Sequence, residues 1–278
     1  MTHPMVVRSY LFVPGTRPER FGKALASGAH AVIVDLEDAV APAEKDRART
    51  AVAGALSPGA PVLLRINGAG TPWFESDLEL AAHPGIAGIV LPKTEGTAEI
   101  DAVRRACGND KPVLPMIESA RGLWHALTIA SAPAVQRLLF GSLDYQVDLA
   151  LTDDDLVHAR SQLVLVSRVA GIGAPVDGVT PAIDDVDALR RETRRARALG
   201  FGAKLCIHPR QIETVNALFR PTADEVAWAE RVIAADATAK GAAVAVDGKM
   251  VDRPVLLKAQ GILAEAQSPQ GAETRSST

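Results

Sequence analysis

The chain has 278 residues, a formal net charge of −3 from 30 basic and 33 acidic side chains, and 47% apolar against 23% charged residues. That is ordinary globular composition, long enough for a single large core. A near-neutral charge without basic runs argues against nucleic acid as a partner, because phosphate binding needs clustered Lys and Arg, and the 4% aromatic content leaves no stacking platform for bases. No apolar stretch reaches the roughly 18 residues that a membrane-spanning helix requires. The opening MTHPMVVRSYLFVPG has neither the charged start nor the cleavage site of a signal peptide. Cys107 and Cys206 have no close cysteine partner, which disfavours disulfide frameworks and zinc ribbons and makes a reducing cytoplasm the expected compartment.

Along the chain, short aliphatic runs alternate with longer amphipathic segments. The runs are YLFVPG (10–15), AVIVDLE (31–37), PVLLRIN (61–67), GIVLPK (88–93), PVLPMIE (112–118), RLLFGSLD (137–144), a weaker PVDGVTP (175–181) and AKLCIHP (203–209). Several stay apolar without period-two alternation, as strands covered on both faces do. Between them lie helical stretches such as PERFGKALASG, AEKDRARTAVAGAL, TAEIDAVRRACG and DVDALRRETRRARALG; the last sets Leu189, Ala196 and Leu199 on one face and ends at Gly200. Eight strands at roughly 25 residues per unit predict an α/β fold, an eight-stranded parallel (β/α)8 TIM barrel over residues 1–220. The open doubly wound sheet is disfavoured because no G-x-G-x-x-G follows the first strand. Residues 221–267 read as a C-terminal helical extension: two helical segments around AVAVDGKMVDRP (243–254), about 60 residues with the tail and too few for an independent core. The polar residues 268–278 read as a disordered tail.

The chemical signal lies in where the polar residues fall. In a (β/α)8 barrel the active site forms at the C-terminal ends of the strands, and here the apolar runs end in Asp35 and Glu37, Arg65 and Asn67, Lys93, Glu118, Asp144 and His208. Glu118 and Asp144 end consecutive predicted strands, so they are expected to be neighbours. Two adjacent carboxylates repel unless a proton or a cation intervenes, and an all-oxygen set with few protein ligands suits Mg²⁺ better than zinc. The alternative is a carboxylate pair neutralised by Arg65 or Lys93 to close the barrel mouth. Arg65 suits bidentate capture of a carboxylate or a structural pairing with Asp35 or Glu37, and the two roles are compatible. His208 reads as a hydrogen-bonded strand end more than a catalytic base, and Cys206 as core packing. Asp153, Asp154 and Asp155 read as a solvated helix start, Trp73, Trp124 and Trp228 as packing residues, and a Schiff-base role for Lys93 ranks low.

Taken together, SYLFVPGTRPERFGKA, AVIVDLEDAV with its following K-x-x-A-R, VLLRIN, VLPK, IESARG, FGSLD, CIHPRQI and DGKMVDRPV resemble the HpcH/HpaI aldolase–citrate lyase superfamily, and within it the citrate lyase β-subunit (citryl-CoA lyase-like) branch. The resemblance runs from about residue 8 to 267. It implies a Mg²⁺-dependent carbon–carbon lyase acting on a 3-hydroxyacyl thioester, citryl-CoA favoured, with malyl-CoA or citramalyl-CoA cleavage and malate synthase-like condensation with thioester hydrolysis as alternatives. The family's metal ligands fall on Glu118 and Asp144, its substrate arginine on Arg65, and its catalytic acid/base on Asp252, within a lid that closes over a neighbouring subunit of a homo-oligomer, a trimer favoured. Asp35, Glu37 and Lys93 are expected to support the site, while Arg17, Arg20 and Lys23, after the first strand, are candidates for CoA phosphates. Expected partners are therefore acyl-CoA and oxo-acid small molecules. One departure stands out: Asp38 occupies the place where pyruvate-type aldolases of the superfamily carry a catalytic His. A non-enzymatic, metabolite-binding barrel would be expected to lack at least one of Arg65, Glu118, Asp144 and Asp252, and all four are present.

Overall fold

Eight short runs of β-branched and aliphatic residues set the architecture. In the computed structural model, which describes residues 6–108, 111–152, 156–239 and 244–267, they form β1 (Ser9–Pro14), β2 (Ala31–Asp35), β3 (Val62–Arg65), β4 (Ile86–Leu91), β5 (Val113–Ile117), β6 (Arg137–Phe140), β7 (Gly173–Asp177) and β8 (Ala203–Cys206). Among the described residues these eight pair in parallel in sequence order, and β1 pairs with β8 to close the barrel. Intervening helices include Lys45–Ala55, Phe74–Ala81, Ala98–Cys107, Val157–Ala170 and Val186–Leu199. The last buries Leu189 and Ala196 and stops at Gly200, whose φ of 98° gives the left-handed turn that glycine tolerates best.

The barrel interior is filled by Tyr10, Ile33, Val90, Leu114, Met116, Leu139, Val176, Ala203 and Leu205, with Leu63 of β3 packed against them. Every strand contributes, which makes the interior a packed core rather than a pore. Register then decides what meets at the C-terminal rim. Asp35, the last residue of β2, is level with Pro14 of β1 and Arg65 of β3, so an acid and a base that end neighbouring strands stand side by side.

One expectation needs correcting here. The run RLLFGSLD does not continue as strand to Asp144: β6 stops at Phe140, and Ser142–Asp148 is helical. Asp144 therefore projects from the first turn of a helix, not from a strand end.

The described residues divide into two compact units, 7–216 and a second made of Val6 and those from 217 to 267. In the second unit, helices Ala223–Ala239 and Arg253–Ala266 pack through Ala229, Val232 and Ala259. Between them β9 (Val244–Val246) and β10 (Lys249–Val251) form an antiparallel hairpin. Its two-residue turn, Asp247-Gly248, has φ values of 50° and 75°, the doubly positive geometry that Asp-Gly favours. The polar tail 268–278 and the Asp153–Asp155 cluster lie outside the described residues. Among the described residues no helix is long and apolar enough to cross a membrane.

Candidate active site

The strand register builds the site around Arg65. Its Nε and Nη2 donate to Asp35 Oδ1 and Oδ2 at 2.7 and 2.6 Å, a bidentate pair. Nη1 faces Glu37 Oε2 at 2.9 Å and Asp38 Oδ2 at 3.6 Å, and the guanidinium lies 4.7 Å over the Phe12 ring. Asp35 is held in turn by the amides of Glu37 and Ala39. Arg65 is thus fixed in direction by its neighbours while still lining the cavity at the barrel mouth. The structural and ligand-facing readings of this residue coexist.

Lys93 links two acids. It follows β4 with a φ of 50°, a left-handed conformation that is uncommon for a residue with a side chain. Its amide donates to Glu118 Oε1 at 2.6 Å, and its ammonium donates to Glu37 Oε1. Burial raises the pKa of Glu37, and Arg65 and Lys93 oppose the shift. Below this loop lies a residue whose role sequence reasoning missed. Lys45 is buried, donates from Nζ to the carbonyls of Leu36 and Glu37 at 2.8 and 2.7 Å, and stacks over Trp73 at 5.2 Å. The available signal was the K-x-x-A-R after DLED, where Lys45 and Arg49 sit four apart; Arg49 reaches Asp77, which accepts from the backbone and side chain of Asn67.

Glu118 follows β5 and is only 4% exposed. Burial first, then the negative charges of Glu37 and Asp144, push its pKa up to about 8, against the favourable bond from the Lys93 amide. Glu118 and Asp144 line the same two cavities. One, about 360 Å³, is walled by Phe12, Met116, Phe140, Val179 and Leu205 with Arg65 and Asp38; the other, about 860 Å³, is lined by the Gly68–Thr71 loop, Lys93, Arg121 and His125. The two carboxylates, expected to be neighbours, are brought together. Gly141 makes this possible, because a Cβ there would fall on the Glu118 carboxylate.

The donor set fits a hard divalent cation. Glu118 and Asp144 stand with no cysteine or histidine lining the smaller cavity, and burial followed by neighbouring negative charge, which together lift Glu118, is what a cation between them would relieve. Among the described residues no group of three or more His, Cys, Asp or Glu side chains could enclose an ion by itself. Such a cation would complete its shell with water or ligand oxygens.

The profile of the HpcH/HpaI aldolase/citrate lyase family matches residues 8–209, which takes in all eight strands and the rim just described. The chain belongs to that family. It is similar to the citrate lyase subunit beta of Leuconostoc mesenteroides subsp. cremoris, at 36% identity over 96% of each chain. It is also similar to a (3S)-malyl-CoA thioesterase of Cereibacter sphaeroides, again 36% identical over 96% of each. Among solved structures, the CitE protein of Mycobacterium tuberculosis in complex with magnesium, acetoacetate and coenzyme A aligns with a TM-score of 0.84 at 37% identity, covering 94% of this chain and 98% of that one. This member of the HpcH/HpaI aldolase/citrate lyase family is by class an enzyme, a carbon–carbon lyase of the kind that handles CoA thioesters.

Arg17 and Arg20 are exposed near Glu19, at 3.8 and 4.0 Å, and Lys23 is exposed in the helix Phe21–Leu25; none of the three lines either cavity. Asp252 caps the helix Arg253–Ala266 in the second unit, Oδ1 accepting from the Val255 amide at 3.2 Å. His208 caps the turn Pro209–Gln211, accepting from the Arg210 amide, and Cys206 is buried, both as expected. Trp124 does not pack: it is 84% exposed on the helix Ala120–Trp124. Aromatic size alone suggested burial, but this five-residue helix turns Gly122 and Leu123 inward and leaves the indole outside.

Proposed function

We propose that the chain is a Mg²⁺-dependent lyase that cleaves a 3-hydroxyacyl-CoA thioester, with citryl-CoA, split to acetyl-CoA and oxaloacetate, as the favoured substrate. The observation that carries this reading is the pairing of Glu118 and Asp144 on a cavity that also holds the rigid guanidinium of Arg65.

Glu118 and Asp144 would hold the cation, which when bound supplies Lewis-acid polarisation of the substrate's hydroxyl or keto oxygen. Arg65 orients the oxo-acid end; its Asp35 clamp removes rotamer freedom before the substrate arrives. Lys93, held by Glu37, keeps Glu118 in place through its amide. The apolar wall of Phe12, Met116, Val179 and Leu205 excludes water from the reacting carbons. On cleavage, the bond between the hydroxyl-bearing carbon and the carbon alpha to the thioester carbonyl breaks, the hydroxyl gives up its proton to water as it becomes the product's keto group, and the alpha-carbon, which keeps the bonding pair as an enolate, takes a proton. Asp252 is assigned that proton, delivered by the second unit of a neighbouring copy in a homo-oligomer, most simply a trimer. Arg17, Arg20 and Lys23 are assigned the CoA phosphates. Small-molecule acyl-CoA and oxo-acid ligands follow from the same reading.

Similarity to a (3S)-malyl-CoA thioesterase favours a second reading, hydrolysis of a malyl thioester on the same site. A product assay separates them. The protein is supplied in turn with citryl-CoA, malyl-CoA and citramalyl-CoA, with Mg²⁺ and with EDTA. Oxaloacetate and acetyl-CoA from citryl-CoA, lost in EDTA, are expected; free CoA and malate from malyl-CoA alone would favour the thioesterase, and turnover untouched by EDTA would overturn the metal assignment.

A further inference from the structure

Two successive residues after β6 have no room for a side chain of their own or of a neighbour. Gly141 lies against the side chain of Glu118, whose Cβ is 2.5 Å from where a Gly141 Cβ would stand. Ser142, the next residue and the first of the helix that carries Asp144, lies against Gly178, the residue after β7. A Cβ on Gly178 would fall on Ser142 Oγ and stand 2.9 Å from its Cβ and 3.1 Å from the Phe140 carbonyl oxygen. Real Cβ atoms do not approach so closely, so something would have to shift.

What would shift is set by a buried ionic network behind the β7 loop. Lys204 of β8, 1% exposed, donates to the Gly178 carbonyl at 2.7 Å and stands 3.4 Å from both Asp177 and Glu192. Arg160 pairs with the other Asp177 oxygen at 2.8 Å. Two residues on, Thr180 donates to Glu192 and its carbonyl accepts from Gln211 at 3.0 Å. A backbone tied at Gly178 and at Thr180 cannot yield cheaply, because moving it would leave buried charges and carbonyls unpaired. The helix start at Ser142 is the part that must give.

We propose that Gly178 is a positioning residue for the divalent-cation site: held by the Lys204 network, it presses on Ser142 and so fixes Asp144 opposite Glu118. The proposal rests on the reading that these two carboxylates hold Mg²⁺. It separates two kinds of glycine at the site, one that admits Glu118 and one that sets its partner from a strand away.

The test is calorimetric titration of the purified full-length protein with Mg²⁺, and with Mn²⁺ followed by electron paramagnetic resonance. Gly178→Ala should weaken binding on the order of tenfold or more, the usual cost of disturbing a residue that orients a metal ligand, while thermal melting shows a folded protein. Adding Ser142→Gly to that variant, which removes both Ser142 atoms in the clash and leaves only the 3.1 Å approach to the Phe140 carbonyl oxygen, should bring affinity back toward wild type; an alanine that weakened binding by loosening the fold elsewhere would not be rescued at this one contacting position. Equal affinity in wild type and Gly178→Ala, or no recovery in the double variant, overturns the proposal. If Gly178→Ala does not fold, Ser142→Gly alone carries the test, since it removes the contact without adding an atom: weaker binding supports the proposal and unchanged binding overturns it. Absence of Mg²⁺ and Mn²⁺ binding in the wild type would instead overturn the metal assignment itself, whatever the variants do.

Discussion

A buried carboxyl with two more carboxylates close by is held short of ionisation, and Glu118 is in that position, with its pKa pushed up to about 8 by burial and by Glu37 and Asp144. At neutral pH the metal-free protein therefore keeps a proton there that an incoming cation must displace. The sign follows: apparent Mg²⁺ affinity should rise with pH, by up to about tenfold per unit below pH 8, and level off above it. Titration calorimetry between roughly pH 6.5 and 9, in buffers of different protonation enthalpy, would detect the released proton; a flat profile would count against Glu118 as a ligand. Glu118→Gln and Asp144→Asn should each cut Mg²⁺-dependent turnover by about 10²-fold or more with little change in melting temperature, because Gln still accepts from the Lys93 amide and Asp144 is exposed. Turnover near wild type in either variant would remove that residue from the site. Of these properties the sequence carried the residue types and the place of Glu118 at the end of a strand, but not that of Asp144 in a helix. It did not carry the positive φ of Lys93 or the bond from its amide, since both depend on how β4 and β5 sit side by side.

Among the elements, the segment after β2 leans on a single side chain, Lys45. The carbonyls of Leu36 and Glu37 turn inward and find the Lys45 ammonium as donor, and Asp35, Glu37 and Asp77 surround it with negative charge. Lys45→Met removes that donor while keeping the stem, so two buried carbonyls lose their donor and three acids lose one of the positive charges near them. The expected cost is about 2–4 kcal/mol, read as a shift of the urea midpoint at constant slope. A change under about 0.5 kcal/mol would mean that water replaces the ammonium without penalty. Strand positions were legible because apolar β-branched runs have few alternatives in a sheet covered on both faces. The helix Ser142–Asp148 was not, because FGSLD continues the apolar run of β6 and local pattern does not mark where the chain must turn to let Gly141 approach Glu118. The hairpin β9–β10 carried its own signal in Asp247-Gly248, a two-residue turn between short Val-rich segments.

For the whole molecule, the question is which copy supplies Asp252. If a neighbouring copy does so, as proposed, two inactive variants can repair each other. Asp252→Asn should lower turnover by about 10²- to 10⁴-fold with Mg²⁺ affinity retained. Co-expressed with Glu118→Gln in equal amounts, it should recover about a quarter of wild-type activity, since about half the metal sites are intact and about half of those face an intact Asp252 from another copy in a closed ring. Recovery of nothing would place Asp252 over its own barrel or outside the reaction. Light scattering on the wild type gives the stoichiometry that the calculation needs, a trimer being the expectation.

The amino-acid sequence by itself determined the barrel and the chemical types at its rim, because the periodicity of apolar runs and the residue that ends each run are local properties of the chain. Only the tertiary structure decided how those rim residues divide their work. Strand register set Arg65 against Asp35, the closeness of β4 to β5 put the Lys93 amide on Glu118, and the loop after β7 brought Gly178 close against Ser142, the first residue of the helix that bears Asp144. Each of these joins residues from 25 to 36 positions apart. Such pairings are fixed by the closure of the sheet and by side-chain volume, which no single stretch of the chain encodes.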